Sequence, residues 1–183
     1  EAANNYSGNS VSLSSDGTIV AIGASFNNGN AAGHVRVYQY ASGTWTKLGS
    51  DIDGEGGDDQ SGYSVSLSSD GTIVAIGAPY NDGSGNAAGH VRVYKYASGT
   101  WTKLGSDIDG EAAGDNSGWS VSMSSDGTIV AIGAIRNNGN GTDAGHVRVY
   151  QYASSTDTWT QLGSDIDGEA ANNYSGNSVS LSS

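Results

Sequence analysis

Short segments in which apolar and polar residues alternate recur along this chain. In the segment 64–68, Val65 and Leu67 share one face, and in the segment 90–96, Val91 and Val93 do so. A period of two residues is typical of β-strands, whereas an amphipathic helix needs apolar positions three and four residues apart. No segment has the helical spacing. The pattern therefore predicts an all-β protein.

One strand pair recurs almost letter for letter at 10–24, 64–78 and 120–134. Each copy has the dipeptide Asp-Gly between two short apolar-alternating segments, as at Asp70 and Gly71. Asp-Gly in this context is a strong signal for a β-hairpin, because the tight turns that join twisted strands need positive φ angles. We therefore expect a hairpin closed by a primed two-residue turn.

The whole chain divides into repeats. Units 1–54, 55–110 and 111–168 each close with Gly-Ser-Asp-Ile-Asp-Gly, and a fragment, 169–183, begins a fourth unit. That fragment is identical to residues 1–15 at all fifteen positions, which no other pair of units achieves. A period of 54 to 58 residues indicates a repeat architecture, in which each unit buries its apolar surface against its neighbours.

Each unit contains four predicted strands. In the middle unit they are 64–68, 72–78, 90–96 and 101–105, and the second is apolar on both faces, as expected for an interior strand. Four strands, a tight first turn and a variable second loop are typical of a β-propeller blade. The predicted fold is all-β, with tandem four-stranded antiparallel propeller-type blades: three repeats and one extra strand. A β-solenoid is the alternative.

Three motifs of the middle unit resemble those of FG-GAP-type repeats, the blades of integrin-α-like propellers. They are Ser-Gly-Tyr-Ser-Val-Ser at 61–66, Ile-Gly-Ala-Pro at 76–79 and Gly-His-Val-Arg-Val-Tyr at 89–94. The resemblance implies an extracellular or cell-surface protein. Two features depart from the family pattern. Serine replaces the family's phenylalanine, and the turn at Asp70 holds one carboxylate where many family members carry a calcium loop, although calcium takes about 6–8 oxygen ligands.

An acidic segment joins successive units and carries the candidate metal ligands. Alternate carboxylates followed by glycine and another acid resemble the front half of a calcium loop. The competing interpretation is a solvated linker that discourages edge-to-edge aggregation. We expect no obligate cofactor, with Ca²⁺ as the alternative. The candidate ligands are Asp51, Asp53, Glu55, Asp107, Asp109, Glu111, Asp165, Asp167 and Glu169.

Histidines and tryptophans recur at fixed positions of every unit, as at His90 and Trp101. A residue present identically in every repeat is expected to serve packing or hydrogen bonding, since active sites usually break the symmetry of a repeat. We expect the histidines to be packing positions and the tryptophans to cap the outer edges of the blades, although exposed indoles could also stack on sugar rings.

A few positions differ between repeat units whose sequences are otherwise nearly constant. Variation on a repeat scaffold is how such proteins carry binding specificity, and it is also how exposed loops drift. The candidate ligand-binding residues are Tyr63, Trp119, Tyr80 and Arg136. The sequence contains no recognisable nucleophile–base constellation and no phosphate-binding loop. We therefore predict that the chain is not an enzyme.

The net charge of the chain limits the classes of partner that it is expected to bind. Seven basic against nineteen acidic residues give a formal net charge of −12, which opposes binding to nucleic acid or to an anionic membrane. No apolar segment is long enough to insert into a membrane. We predict a non-enzymatic structural or adhesive repeat protein that assembles with copies of itself or with further repeats, into a ring or a filament. The alternative is a glycan- or protein-binding propeller module.

Overall fold

The computed structural model describes residues 6–26 and 31–182, and this part of the chain contains fifteen strands and no helix. The strands are β1 (Ser7–Leu13), β2 (Ile19–Ala24), β3 (His34–Ala41), β4 (Thr44–Lys47), β5 (Ile52–Asp53), β6 (Ser64–Leu67), β7 (Ile73–Ala78), β8 (His90–Ala97), β9 (Thr100–Lys103), β10 (Ile108–Asp109), β11 (Ser117–Met123), β12 (Ile129–Ala134), β13 (His146–Ala153), β14 (Thr158–Gln161) and β15 (Ile166–Asp167).

The strands form three antiparallel sheets, one for each predicted repeat. In the first sheet the order is β1-β2-β3-β4, and the other two sheets repeat it with β6 to β9 and β11 to β14. Each strand pairs with its neighbour in sequence, as in a propeller blade, so the predicted four-stranded blade is confirmed. We refer to the sheets as blades 1, 2 and 3.

A fifth strand of two residues was not predicted. In each blade it pairs with the beginning of the third strand, and in blade 2 Ile108 is opposite Val91 and Asp109 is opposite His90. The sequence analysis interpreted this acidic segment as part of a calcium loop or as a solvated linker, and it predicted no strand for the Ile-Asp pair. Because Ile108 is buried, burial of its side chain holds the pair against the sheet.

The turn of the repeated hairpin differs from the predicted primed turn. Ser68 N–H donates to the carbonyl of Ile73, so four residues, 69–72, form the loop, and among them only Gly71 has a positive φ, of 71°. Asp70 stabilises the loop with its side chain: its Oδ1 accepts from Ser68 Oγ at 2.7 Å and from Thr72 N–H at 2.9 Å. The aspartate is therefore a hydrogen-bond acceptor rather than a left-handed turn residue.

The apolar cores lie between the blades rather than within them. One core joins Val35, Val37 and Ile52 of blade 1 to Leu67 and Ile76 of blade 2. A second core repeats this arrangement between blades 2 and 3. We call the side of a blade that faces the following blade its tail face; in blade 1 it carries Val35, Val37 and Ile52. The side that faces the preceding blade is the head face; in blade 2 it carries Leu67 and Ile76. A blade thus buries its apolar residues only when a neighbour covers each face.

Small residues let the blades approach closely. A Cβ on Gly77 would overlap the carbonyl oxygen of Gly118 in the next blade. Ser64 Oγ donates to the same carbonyl at 2.8 Å, and Met123 N–H donates to Ser66 Oγ at 3.0 Å. The innermost strands of adjacent blades are therefore joined by hydrogen bonds as well as by apolar contacts.

The chain continues past blade 3 into the position of a fourth blade. Ser120 Oγ donates to the carbonyl of Gly176 at 2.7 Å, and Leu181 N–H donates to Ser122 Oγ at 3.0 Å. These contacts repeat those between blades 2 and 3. Residues 175–182 thus lie where the innermost strand of a further blade would lie. The three sheets do not close into a ring.

Candidate functional site

The junctions between blades gather histidine and carboxylate side chains from distant parts of the sequence. His146 is the first residue of β13, and the pairing of β13 with β15 brings Asp165, immediately before β15, beside it. Glu111 comes from the segment that connects blade 2 to blade 3. The three residues each offer a ligand atom, and these atoms lie within 4.8 Å of one another. We call this group the blade-3 cluster.

His146 is the centre of the blade-3 cluster. Its Nδ1 lies 3.8 Å from Asp165 Oδ2 and 3.9 Å from Glu111 Oε2, both beyond hydrogen-bond distance. The side chain is fully buried, and within the described residues neither ring nitrogen has a hydrogen-bond partner. Burial lowers the pKa of His146, and the nearby Arg148 guanidinium lowers it further. The imidazole is therefore neutral at pH 7.

The equivalent group in blade 2, which we call the blade-2 cluster, contains Glu55, His90 and Asp107. His90 Nδ1 lies 4.0 Å from Asp107 Oδ2. Lys103 donates to Asp107 Oδ1 at 2.6 Å, whereas in blade 3 the equivalent donor to Asp165 is the neutral amide of Gln161, at 2.7 Å. The two clusters thus contain equivalent residues and differ by one positive charge.

In blade 1 the acid that precedes the fifth strand is paired with cations. Asp51 accepts from Arg36 Nε at 2.9 Å and from Lys47 Nζ at 2.6 Å. The hydrogen bond from Arg36 is the main reason that the pKa of Asp51 falls to about 2. Asp51 is therefore a paired, ionised carboxylate over the whole physiological range.

In blades 2 and 3, a buried arginine two residues after the histidine ties the blade to the preceding one. Arg92 Nη2 donates to the carbonyl of Asp53 at 2.8 Å, and Arg148 Nη2 donates to the carbonyl of Asp109 at 2.7 Å. Arg148 Nη1 also lies 3.6 Å from Glu111 Oε1. The sequence analysis assigned these arginines no role. Their recurrence two residues after the histidine was the available signal.

The nine predicted metal ligands do not lie together in the structure. Asp107 and Glu111 belong to one acidic segment but to different clusters, because Asp107 joins Glu55 and Glu111 joins Asp165. Asp53, Asp109 and Asp167 lie within the short fifth strands, and Glu169 is exposed. Calcium binding by one continuous acidic loop is not tested and stays a prediction.

Two of the four predicted ligand-binding residues contact each other. The rings of Tyr63 and Trp119 have centroids 4.6 Å apart, and burial is the main reason that the pKa of Tyr63 is raised, with a smaller contribution from Tyr80. Arg136 is exposed in the loop after β12. Binding of a glycan or a protein by these residues is not tested and stays a prediction.

The recurring tryptophans contact the neighbouring blade. Trp101 Nε1 donates to the carbonyl of Leu48 and Trp159 Nε1 donates to that of Leu104, both at 2.9 Å. Both indoles pack against the apolar cores between blades. Trp45 of blade 1, which faces no earlier blade, is 46% exposed.

Residues 107–150, which span blade 2's last strand and most of blade 3, match the FG-GAP repeat family. The chain contains an FG-GAP repeat. The matched FG-GAP segment includes Asp107, Glu111, His146 and Arg148. A sequence search of curated proteins gives no significant match.

The solved structures that resemble the chain are larger proteins. A candidate 6-phosphogluconolactonase from Bacteroides fragilis is 18% identical with a TM-score of 0.58, and the match covers 87% of this chain and 40% of that one. The periplasmic gluconolactonase of Pseudomonas aeruginosa is 16% identical with a TM-score of 0.54, covering 88% and 39%. Hydrazine synthase from Kuenenia stuttgartiensis is 13% identical with a TM-score of 0.53, covering 93% and 39%. The chain therefore spans about two fifths of the length of these structures.

These neighbours overturn the prediction that the chain is not an enzyme. Structures with this blade arrangement carry the names of lactonases and of a synthase, so the repeated scaffold does not exclude catalysis. At these identities the likeness shows the fold alone. The chain is thus a module of propeller-type blades. The described residues contain no helix that is long and apolar enough to cross a membrane.

Proposed function

We propose that this chain is a structural or adhesive module that joins copies of itself end to end through its blade faces. The observation that carries the proposal is a difference in exposure between equivalent residues. Leu13 on the head face of blade 1 is 55% exposed, whereas its counterparts Leu67 and Met123 are each 7% exposed. Ile166 on the tail face of blade 3 is 59% exposed, whereas its counterpart Ile108 is 4% exposed.

The two exposed faces are complementary because the chain already contains two copies of their contact. The tail face of blade 1 packs on the head face of blade 2, and the tail face of blade 2 packs on the head face of blade 3. A second copy can offer its blade 1 to blade 3 in the same way. Burying one valine, leucine or isoleucine contributes about 1.5–3 kcal/mol, so a face with several such residues supports association.

The segment 169–183 supports a strand-exchange joint. It has the sequence of residues 1–15, and its residues 175–182 lie at the innermost position of a fourth blade. The strand Ile19–Ala24 of a second copy can pair with this segment instead of with its own β1. Such an exchange repeats at every junction and extends head to tail.

An extracellular or cell-surface location stays a prediction that rests on the family resemblance. The expected absence of nucleic-acid binding and of membrane insertion also stays a prediction, based on the net charge of −12 and on the lack of a long apolar segment. A module that joins copies of itself through apolar blade faces is compatible with an extracellular location and with the absence of nucleic-acid binding and of membrane insertion.

Sedimentation velocity over a range of concentrations tests the proposal. The 18.5 kDa chain should form dimers and larger species as its concentration rises. Deletion of residues 169–183 should weaken this association at least about tenfold, and Ser154→Asp, in an exposed turn, should leave it unchanged. A wild-type chain that stays monomeric at every concentration up to the millimolar range would overturn the proposal.

A further inference from the structure

We infer that the blade-3 cluster, Glu111, His146 and Asp165, binds one divalent transition-metal ion. The inference goes beyond the proposed assembly, because it concerns a site within one chain. It also differs from the calcium loop considered in the sequence analysis, since the ligands come from two acidic segments and a histidine that were not expected to act together.

The geometry has room for an ion. Ligand atoms around a tetrahedral Zn²⁺ at about 2.1 Å lie roughly 3.4 Å apart. His146 Nδ1 lies 3.8 Å from Asp165 Oδ2 and 3.9 Å from Glu111 Oε2, so shifts of a few tenths of an ångström bring each carboxylate oxygen to the required distance from the imidazole. The ligand atoms of all three residues lie within 4.8 Å of one another. The distances are too long for hydrogen bonds, and no described residue occupies the space as a partner of His146.

The buried histidine is a second, independent indication of a ligand. A fully buried imidazole with two unpartnered nitrogens loses its hydrogen bonds to water and gains none in return, which costs free energy. A metal ion bound at Nδ1 removes part of that cost. Glu111 and Asp165 are partly exposed, so an ion can enter from solvent.

The ligand chemistry selects the kind of ion. Imidazole nitrogen suits Zn²⁺ and its first-row neighbours, whereas Ca²⁺ and Mg²⁺ prefer shells made of oxygen alone. Three protein ligands leave further coordination positions for water. We therefore expect Zn²⁺ to bind more tightly than Ca²⁺ at this site.

Charge distinguishes the two clusters. In the blade-3 cluster Arg148 lies beside Glu111, whereas Asp165 accepts a hydrogen bond from the neutral amide of Gln161, so one negative charge of the two carboxylates is left to attract a cation. In the blade-2 cluster the carboxylates of Glu55 and Asp107 face both Arg92 and Lys103, and the charges balance. The substitution of Gln161 for this lysine is what makes the blade-3 cluster favourable for a cation.

This difference supplies matched variants that remove no ligand. Gln161→Lys gives the blade-3 cluster the charge of the blade-2 cluster, and Lys103→Gln does the reverse. Isothermal titration of the untagged, chelator-treated chain with Zn²⁺ should show one site in the wild type, a loss of affinity of about tenfold or more in Gln161→Lys, and a second site in Lys103→Gln. Glu111→Gln, a mild change at an exposed ligand, should weaken binding by a similar factor.

The possible outcomes of the Zn²⁺ titration can be told apart. Circular dichroism of each variant without metal establishes that it is folded, so a loss of binding is not a loss of structure. A wild-type chain without saturable Zn²⁺ binding overturns the inference, and so does unchanged binding in Gln161→Lys or Glu111→Gln. Tighter binding of Ca²⁺ than of Zn²⁺ would also overturn it, because that outcome indicates an all-oxygen site elsewhere.

Discussion

The indole N–H of Trp101 donates a hydrogen bond to the carbonyl oxygen of Leu48, across the junction between blades 1 and 2, at 2.9 Å. Trp159 makes the same bond to Leu104 one blade later, also at 2.9 Å. The outer edge of every internal junction is thus closed by one directional bond from a partly buried aromatic ring.

Removing this bond should weaken the junction. Trp101→Phe keeps an aromatic ring but deletes the donor, and we expect a loss of about 1–2 kcal/mol in the free energy of unfolding. The matched control is Trp45→Phe, because Trp45 is 46% exposed on the head face of blade 1. Urea unfolding should show a change below about 0.5 kcal/mol for the control. Equal losses in both variants would contradict the assigned role of the bond.

A substitution at Gly77 tests whether blades 2 and 3 must approach each other closely. In Gly77→Ala the new Cβ overlaps the Gly118 carbonyl oxygen of the following blade, so blades 2 and 3 must separate, at a cost of about 2–3 kcal/mol. Gly133 has the same surroundings, but there the overlapped carbonyl is that of Gly176, in the terminal segment with no sheet behind it.

We therefore expect Gly133→Ala to cost less than about 1 kcal/mol in urea unfolding, while it weakens the association of copies because the segment 175–182 is displaced. Sedimentation of the two variants completes the comparison. If Gly133→Ala unfolded as readily as Gly77→Ala, the terminal segment would contribute as much stability as a whole blade, contrary to the arrangement described above.

Lowering the pH should destabilise the folded protein, because Asp51 becomes protonated and its ionised form is the one that the fold stabilises. Its pKa is about 2 in the folded chain against an unperturbed 3.8, so the folded state binds its proton less readily than the unfolded state does. The stabilisation is complete above about pH 4 and is lost as the pH falls toward 2. The Asp16, Asp70 and Asp126 carboxylates of the hairpin turns have lowered pKa values too, and act in the same direction.

Asp51→Asn isolates the contribution of Asp51. Urea unfolding at about pH 7, 4 and 2.5 should show a decline in stability for the wild type that exceeds the decline for the variant by up to about 2 kcal/mol. Parallel declines in the two proteins would show that the Arg36 and Lys47 contacts of Asp51 contribute nothing to folding. The variant retains the turn aspartates, so part of the acid sensitivity should remain.

Local patterns in the sequence were sufficient to predict the blades. The alternation around Val65 and Val91 predicted the strands, whereas the repeat boundaries drawn at the recurring Gly-Ser-Asp-Ile-Asp-Gly stay a prediction. The hairpin turn was placed correctly, but its type was not, because the hydrogen bonds of the Asp70 side chain decide it. The strand Ile108–Asp109 was missed, since two residues are too few to show a period.

The site could be predicted only in part. Asp107, Glu111 and Asp165 were identified as candidate ligands from their acidic pattern, but His146 was assigned to packing. Its approach to Asp165 depends on how β15 pairs with β13, and its approach to Glu111 depends on how one blade follows another. Contacts of this kind depend on tertiary packing that no local pattern in one sequence specifies.

The central claim, that the head face of one copy binds the tail face of another, is tested most directly by mixing two blocked variants. Ile22→Asp places a charge on the head face of blade 1, where the counterparts Ile76 and Ile132 are each 1% exposed, and Ile166→Asp places one on the tail face of blade 3. Each variant alone should sediment as an 18.5 kDa monomer, because every contact needs one intact face of each kind. An equimolar mixture should form a one-to-one dimer and nothing larger. A mixture that stays monomeric while the wild type associates, or a single variant that still forms large assemblies, would contradict the claim.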